Sequence, residues 1–386
     1  MNRKPIVHDT LVAQETEDVQ KAAYPLTDDR VIPADGQAQR TVGQVIELAK
    51  EWVSLQAEQL PGLLGAHLMG GMTSMAADEP FAAYRDVDMH LILQDDGDVP
   101  VENVEAPYKG LMIEAGFRQQ KDYCTPEVVL ADPVIASHMA VPSILYDPTG
   151  FLTRLHEAVT REYARRKWVQ ARCEAEKREA FGMLESAARI PDPVTGLCLL
   201  AYAGTFVSGV LALASLKPIT GRRSYLQMRR VLEVWGRADL HERLLEVLGH
   251  AHLSREQVER YLRDATEAFD IAVQVKRTPH PLGYKMHAHL RPYLVDGTQE
   301  MICEGFHREA AGWAMAYYTG SIQIIQADAP SKLTPDMRAK FEECTGRQLG
   351  PAGADAWKVR IEQARAVFSE VFTLADEIIA HNPVIC

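Results

Sequence analysis

The chain has 386 residues, 47% hydrophobic and 24% charged, the balance of an ordinary globular protein with room for two or three domains. Its formal net charge of −12 argues against general affinity for nucleic acid backbones, which basic surfaces serve. No apolar run approaches the roughly 20 residues that a membrane helix needs.

Residues 1–38 are polar, carry no apolar signal core and read as an N-terminal arm. From 41 to 59, Val42, Val45, Ile46, Leu48, Ala49, Trp52, Val53 and Leu55 recur with a helical period, and Pro61 closes the segment. A short strand is expected at 65–69, running into Gly70-Gly71. A second is expected at 86–93, a turn at 94–98 and a third strand at 110–117. Tyr146-Asp-Pro-Thr-Gly150 then signals a turn. Beyond 151 the pattern is helical almost throughout: a long charged helix at 152–186 and an apolar one at 196–216, then helices at 224–235, 240–248, 254–275, 298–325, 334–345 and 355–381. The stretch 197–216 comes nearest to a membrane span, but Tyr202, Thr205 and Ser208 interrupt it, so it reads as a buried helix. Residues 276–296, rich in His, Pro and Tyr, read as irregular. The expected fold is mixed α+β. The arm at 1–38 precedes a small domain with a short mixed sheet at 39–150, and a larger all-helical domain follows at 151–386. Six cysteines, Cys124, Cys173, Cys198, Cys303, Cys344 and Cys386, show no CxxC spacing. They fit reduced thiols and a cytoplasmic location.

The chemistry concentrates around Gly70-Gly71-Met-Thr73-Ser74 and Asp86-Val-Asp88. Carboxylates at i and i+2 of a strand point the same way and repel unless a cation sits between them. Mg²⁺ held by a few carboxylates and substrate phosphates is a common answer, and a glycine turn lets backbone N–H groups approach phosphate oxygens. Together they suggest metal-assisted attack on a nucleoside triphosphate. Taken singly, an Asp-x-Asp pair is often accidental and Gly-Gly is often only a turn.

With Glu114, Ser143-Ile-Leu-Tyr-Asp-Pro-Thr-Gly150, Glu179-Ala-Phe-Gly182 and the apolar helix near Leu197, these motifs resemble the nucleotidyltransferase superfamily that includes DNA polymerase beta. Within it the chain is most similar to the kanamycin (aminoglycoside) nucleotidyltransferases, from about residue 65 to 216. The resemblance implies that Asp86, Asp88 and Glu114 hold Mg²⁺ against the triphosphate, and that Gly70, Gly71, Thr73 and Ser74 cradle the phosphates. It also implies that Glu179 is the general base. The co-substrate would be an NTP, with ATP first among them. The acceptor would be a hydroxyl of a small molecule, an aminoglycoside-type antibiotic or another sugar-containing metabolite. A homodimer is a family expectation. The interval 72–85 is longer than the family pattern, Gly71 stands where serine is frequent, and Met183 and Leu184 stand near the position of the family's lysine on the base helix. Lys177, Arg178, Arg222 and Arg223 are the candidate substitutes.

Alternatives stay open on the residues alone. Glu114 has apolar neighbours and can instead be an edge-strand carboxylate facing water. Glu174, Glu176 and Glu185 share a helix with Glu179, and any of them can be the base. His280, His287 and His289 with Cys303 and His307 invite a zinc reading, weakened by irregular spacing. Glu300, Glu304, Glu309, Trp313, Tyr317 and Tyr318 either line an acceptor pocket or pack helices. Lys217–Arg223 either touches the triphosphate or caps a helix. Transfer to a macromolecule such as tRNA or protein, or nucleotide sensing without catalysis, are the competing functions.

Overall fold

A capping box opens the first described helix: Thr41 accepts from the Gln44 amide, and the Gln44 side chain accepts from the Thr41 amide. The computed structural model describes residues 40–95, 103–350 and 353–386. The expected arm at 1–38 and most of the turn at 94–98 lie outside the described residues. Helix α1 (Val42–Gln59) lays Val42, Val45, Ala49, Trp52 and Val53 on one face of a five-stranded sheet, against Val87, Met89 and Leu91.

The strands are β1 (Leu63–Leu68), β2 (Asp86–Leu93), β3 (Val104–Tyr108), β4 (Leu111–Gln119) and β5 (Ile144–Tyr146), in the order β3-β4-β2-β1-β5. Only β2 and β4 run parallel. The sequence reading missed β3, which carries Pro107; it is an edge strand, where a missing N–H is tolerated. It also missed two short helices, α2 (Pro126–Ala131) and α3 (Pro133–Met139), each opened by a proline behind a capping Thr125 or Asp132.

The helix expected at 152–186 is two. α4 (Phe151–Glu162) and α5 (Arg166–Arg189) part at Arg165, whose backbone turns extended. The break is held from far away: the Arg166 amide donates to the Cys386 carbonyl at 2.7 Å. Leu152, Leu155 and Val159 of α4 pack with Ile92, Val129, Leu130 and Ile135, so the packing of the sheet unit continues past residue 150. Gly65 permits the approach, since a Cβ there would lie 2.7 Å from Leu152 Cδ1. Arg172 of α5 is wholly buried; it donates to the Leu130 carbonyl at 3.0 Å and the Tyr163 carbonyl at 2.8 Å, with its guanidinium over the Tyr163 ring.

The remaining helices form two cores. α6 (Pro193–Ala214) lies at the centre of the first, with α5, α7 (Ser224–Val234), α8 (Ala238–Leu248) and α13 (Ala354–His381) around it. Among the described residues α6 alone is long and apolar enough to cross a membrane, and 67% of its most apolar stretch is buried against these neighbours. The second core joins α9 (Arg255–Val275), α10 (Arg291–Cys303), α11 (His307–Asp328) and α12 (Pro335–Leu349). The single helix expected at 298–325 is also divided, at Gly305, whose positive φ of 89° ends α10. Cys303 and His307 therefore sit on separate helices rather than on one face, and His307 Nε2 is bonded to the Leu253 carbonyl at 3.1 Å. Among the described residues this removes the basis of the zinc reading: the one cluster suited to a metal is Asp86, Asp88 and Glu114.

On the sheet face away from α1, His67 and His90 stand opposite each other in register, and both meet the Tyr123 hydroxyl, at 2.8 and 2.7 Å. His67 Nδ1 donates to the Leu68 carbonyl at 3.0 Å. Its Nε2 then accepts from Tyr123 O–H, and His90 Nδ1–H donates to the Tyr123 oxygen. Burial keeps both rings neutral; it pulls His67 down to about 3 and His90 well below the usual histidine range. Tyr123→Phe strands both nitrogens and is expected to cost about 1–3 kcal/mol, read as a lower urea midpoint at pH 7.5. In the wild type the histidines' folded pKa values lie below the unfolded value. Stability is therefore lost as pH falls below about 6.5 towards 3.

Candidate active site

Four carboxylates share one face of the sheet. Asp86 and Asp88 are two apart on β2, Glu114 of β4 is opposite Asp88, and Glu105 of β3 is opposite Glu114. Asp86, Asp88 and Glu114 each offer an oxygen within 4.8 Å of the other two, a set of hard donors that can hold a metal ion. Such a row repels itself. Burial first, then the neighbouring carboxylates, pushes Asp88 well above the usual carboxylate range; burial likewise raises Asp86, and Glu105 is pushed up to about 8.

Among the described residues the row has one resident cation. Lys285, in a 3-10 turn at Gly283–Lys285, contacts Glu114 and places Nζ 2.8 Å from Glu105 Oε1 and 3.9 Å from Asp86 Oδ2. Burial opposes its charge, but Glu114, Glu105 and Asp86 outweigh burial and raise it. Arg222 is the second nearby cation; it donates to the Tyr293 carbonyl at 2.5 Å and stacks over that ring. It threads past Gly297, where any side chain would strike the guanidinium.

The glycine turn meets the row from the end of β1. The Met69 amide donates to the Asp88 carbonyl at 2.8 Å, and Gly70 follows with φ 67°. A Cβ at Gly70 would overlap Asp88 Oδ2, so only glycine lets the backbone pass the carboxylate. Gly71 meets no such constraint, with nothing within 4 Å of its Cβ position. The Thr73 hydroxyl is spent within the turn, donating to the Gly70 carbonyl at 2.8 Å, and Ser74 is exposed.

A cavity of about 470 Å³ opens beside Gly70, Asp88 and Glu114 and runs between α6 and α11. Leu197, Ala201, Phe206 and Ile219 line it with apolar surface; Thr205 and Thr220 add hydroxyls. Gly71, Thr73, Ser74 and Asp86 are not among its lining residues.

Glu176, rather than Glu179, lines this cavity. The carboxyl of Glu176 is 4% exposed, and burial pushes it up to about 8, with Asp132 and Glu179 adding repulsion. Gly209 of α6 leaves the room it needs, since a Cβ there would lie 2.5 Å from Glu176 Oε2. Glu179 faces solvent on the next turn, Glu174 pairs with Lys177 at 2.8 Å, and Glu185 pairs with Arg365. The apolar stripe of α5 runs through Val169, Cys173, Ala180 and Leu184. Position 176 falls on that stripe and 179 off it, a phase visible in the sequence.

The candidate cations also divide. Lys177 is held by Glu174 and Asp376, Arg178 is exposed, and Arg223 pairs with Glu300 at 2.5 Å and Glu304 at 3.1 Å. Only Arg222 of the four lines the cavity. Glu300 also accepts from the Tyr84 hydroxyl. Glu309 lines the cavity but is saturated by His241 at 3.0 Å and Arg229 at 3.1 Å. Trp313 lines the cavity, whereas Tyr317 and Tyr318 belong to the second helical core. Glu176 was among the alternatives to Glu179 on the same helix, whereas Lys285 and Glu105 were not singled out by the sequence. Lys285 and Glu105 lie outside every motif and reach the row only through the fold. No protein-family model matches the chain, and no curated protein matches it.

Proposed function

We propose that the protein transfers a nucleoside monophosphate from an NTP, ATP first among them, to a hydroxyl of a small molecule. The observation that carries this reading is the convergence of Asp86, Asp88 and Glu114 at the mouth of a cavity that also holds the buried Glu176. Asp86 and Asp88, with Glu114, would hold Mg²⁺, which offsets charge on the phosphoryl oxygens. The acceptor hydroxyl forms a bond to the α-phosphorus, and pyrophosphate leaves. Glu176 takes the hydroxyl proton: its pKa of about 8 lies close to working pH, where a general base is most effective. Gly70 brings backbone to the carboxylates, and Lys285 and Arg222 supply positive charge beside the triphosphate.

The cavity favours a small acceptor over a macromolecule. Its depth lies between α6 and α11, and Glu309, the other carboxylate on its inner wall, is already neutralised. That wall suits a hydroxylated, sugar-containing molecule with an apolar face better than a polycation. The reaction belongs where NTPs and Mg²⁺ are found, in the cytoplasm. The test is incubation with each NTP, Mg²⁺ and a panel of hydroxylated metabolites, aminoglycosides included, followed by mass spectrometry. A product heavier by one nucleotidyl group, with matching pyrophosphate, is expected. Tight Mg²⁺-dependent nucleotide binding without any adduct would make the protein a sensor instead.

A further inference from the structure

Four carboxylates on one sheet face need more than one positive charge to balance them, and the fold already provides one. We propose that Lys285 is a built-in substitute for a second metal ion, so that the chain takes one divalent ion per site, between Asp86 and Asp88. The inference rests on the reading of this row as a metal site. Two-ion sites place their metals roughly 3.5–4 Å apart and share carboxylates between them. Here the space among Glu105, Glu114 and Asp86 is filled by an ammonium, with Nζ at 2.8 Å from Glu105 and 3.9 Å from Asp86 and in contact with Glu114. Asp88 is the one member of the row with no ion pair to Lys285.

The ammonium is held where it is rather than swinging at the rim. Its side chain is 8% exposed. Tyr284 and Tyr293 stand on it at 5.5 and 5.3 Å from Nζ to ring centre. Its turn is pinned by Lys276, which donates to the Gly283 carbonyl at 2.7 Å, and by the Gly283 amide on the His280 carbonyl, also at 2.7 Å. The Glu105 oxygens are buried, and among the described residues Lys285 is the one cation paired with them. An ammonium has three donors, carries one charge and needs no dehydration on each turnover. It therefore leaves the Asp86–Asp88 edge as the position for the one ion that the protein itself holds.

Counting manganese decides the matter. The full-length protein is titrated with Mn²⁺ and a non-hydrolysable ATP analogue, with free Mn²⁺ read by electron paramagnetic resonance. One protein-dependent ion is expected beyond the ion that the nucleotide binds by itself in a protein-free control, and that ion should be lost in Asp88→Asn. Two such ions in the wild type overturn the role of Lys285 while leaving the metal site standing; none removes both. Lys285→Met keeps the length and apolar stem of the side chain and frees Glu105, Glu114 and Asp86. It is expected to raise the count to two and to make the melting temperature respond to Mn²⁺ more strongly than in the wild type. A folded Lys285→Met protein that still binds one ion overturns the proposal. If that variant does not fold, the wild-type count alone decides.

Discussion

Asp88→Asn is expected to lower nucleotidyl transfer by about a thousandfold or more while making the metal-free protein more stable. On the proposed function the activity loss follows because Asp88 would be the metal-facing carboxylate that Lys285 leaves unpaired, and positioned charge is the largest single contribution to phosphoryl-group chemistry. The stability gain follows from the same isolation. Burial, with Asp86 and Glu114 beside it, pushes the Asp88 pKa well above its ordinary value. A carboxylate with a folded pKa above the unfolded one destabilises the fold increasingly as pH rises past about 4. Asparagine removes that penalty, so the melting temperature should rise by about 2–4 °C at pH 7.5 and converge with wild type near pH 4. Thermal denaturation across pH, beside a transfer assay, checks both halves. Unchanged turnover would remove Asp88 from the chemistry, and a large drop in melting temperature would mean that lost activity reflects lost folding. Asp86→Ala should also abolish transfer.

Glu176→Gln is expected to reduce turnover by about a hundred- to ten-thousandfold with little change in nucleotide affinity, the signature of a lost general base. Glu179→Gln, on the solvent side of the same helix, should stay within about twofold of wild type. In the wild type, turnover should climb through a midpoint near pH 8, because the Glu176 carboxyl is pushed up to about 8 and must lose its proton to act. Glu176→Gln flattens that limb. The sign for stability runs the same way as for Asp88. The unfolded pKa is about 4.3, so the folded-state penalty opens there and grows to about pH 8. The glutamine variant should therefore melt higher than wild type at pH 8 and match it at pH 4. Rate profiles and melting curves over pH 4–9 provide the measurement. A wild-type rate in Glu176→Gln would hand the proton to another group or to the substrate itself.

Much of the site could be read from local pattern. The i, i+2 spacing of Asp86 and Asp88 is a property of any strand, and the Gly70 turn shows in its dipeptide. Glu114 took its place once β4 paired with β2, as its apolar flanks suggested. On α5 two signals diverged: a motif pointed to Glu179, whereas the helical phase of Val169, Cys173, Ala180 and Leu184 put Glu176 inward. Lys285 and Glu105 were beyond reach by local reading. One sits in an irregular stretch 171 residues beyond Glu114, the nearest in sequence of the carboxylates it balances; the other sits on an edge strand that Pro107 disguised. The breaks at Arg165 and Gly305 were missed because the apolar period continues on both sides of each. At Arg165 the backbone is turned by a contact with the last residue of the chain, a cause that no window of neighbouring residues contains.

The buried guanidinium of Arg172 fixes how firmly two parts of the molecule are joined. It ties α5 to carbonyls of α2 and of the α4–α5 junction, out of reach of water, and among the described residues no carboxylate pairs with it. Pulling it loose would bare a charge and two carbonyls together, so that seam is costly to open. A second seam is closed by Lys285, 8% exposed, on the acidic row, and by the more exposed Tyr84 and Arg223 on Glu300. Opening the first seam would strand a guanidinium, and opening the second would strand an ammonium among carboxylates, so the two halves are joined by charges that have no water to retreat to.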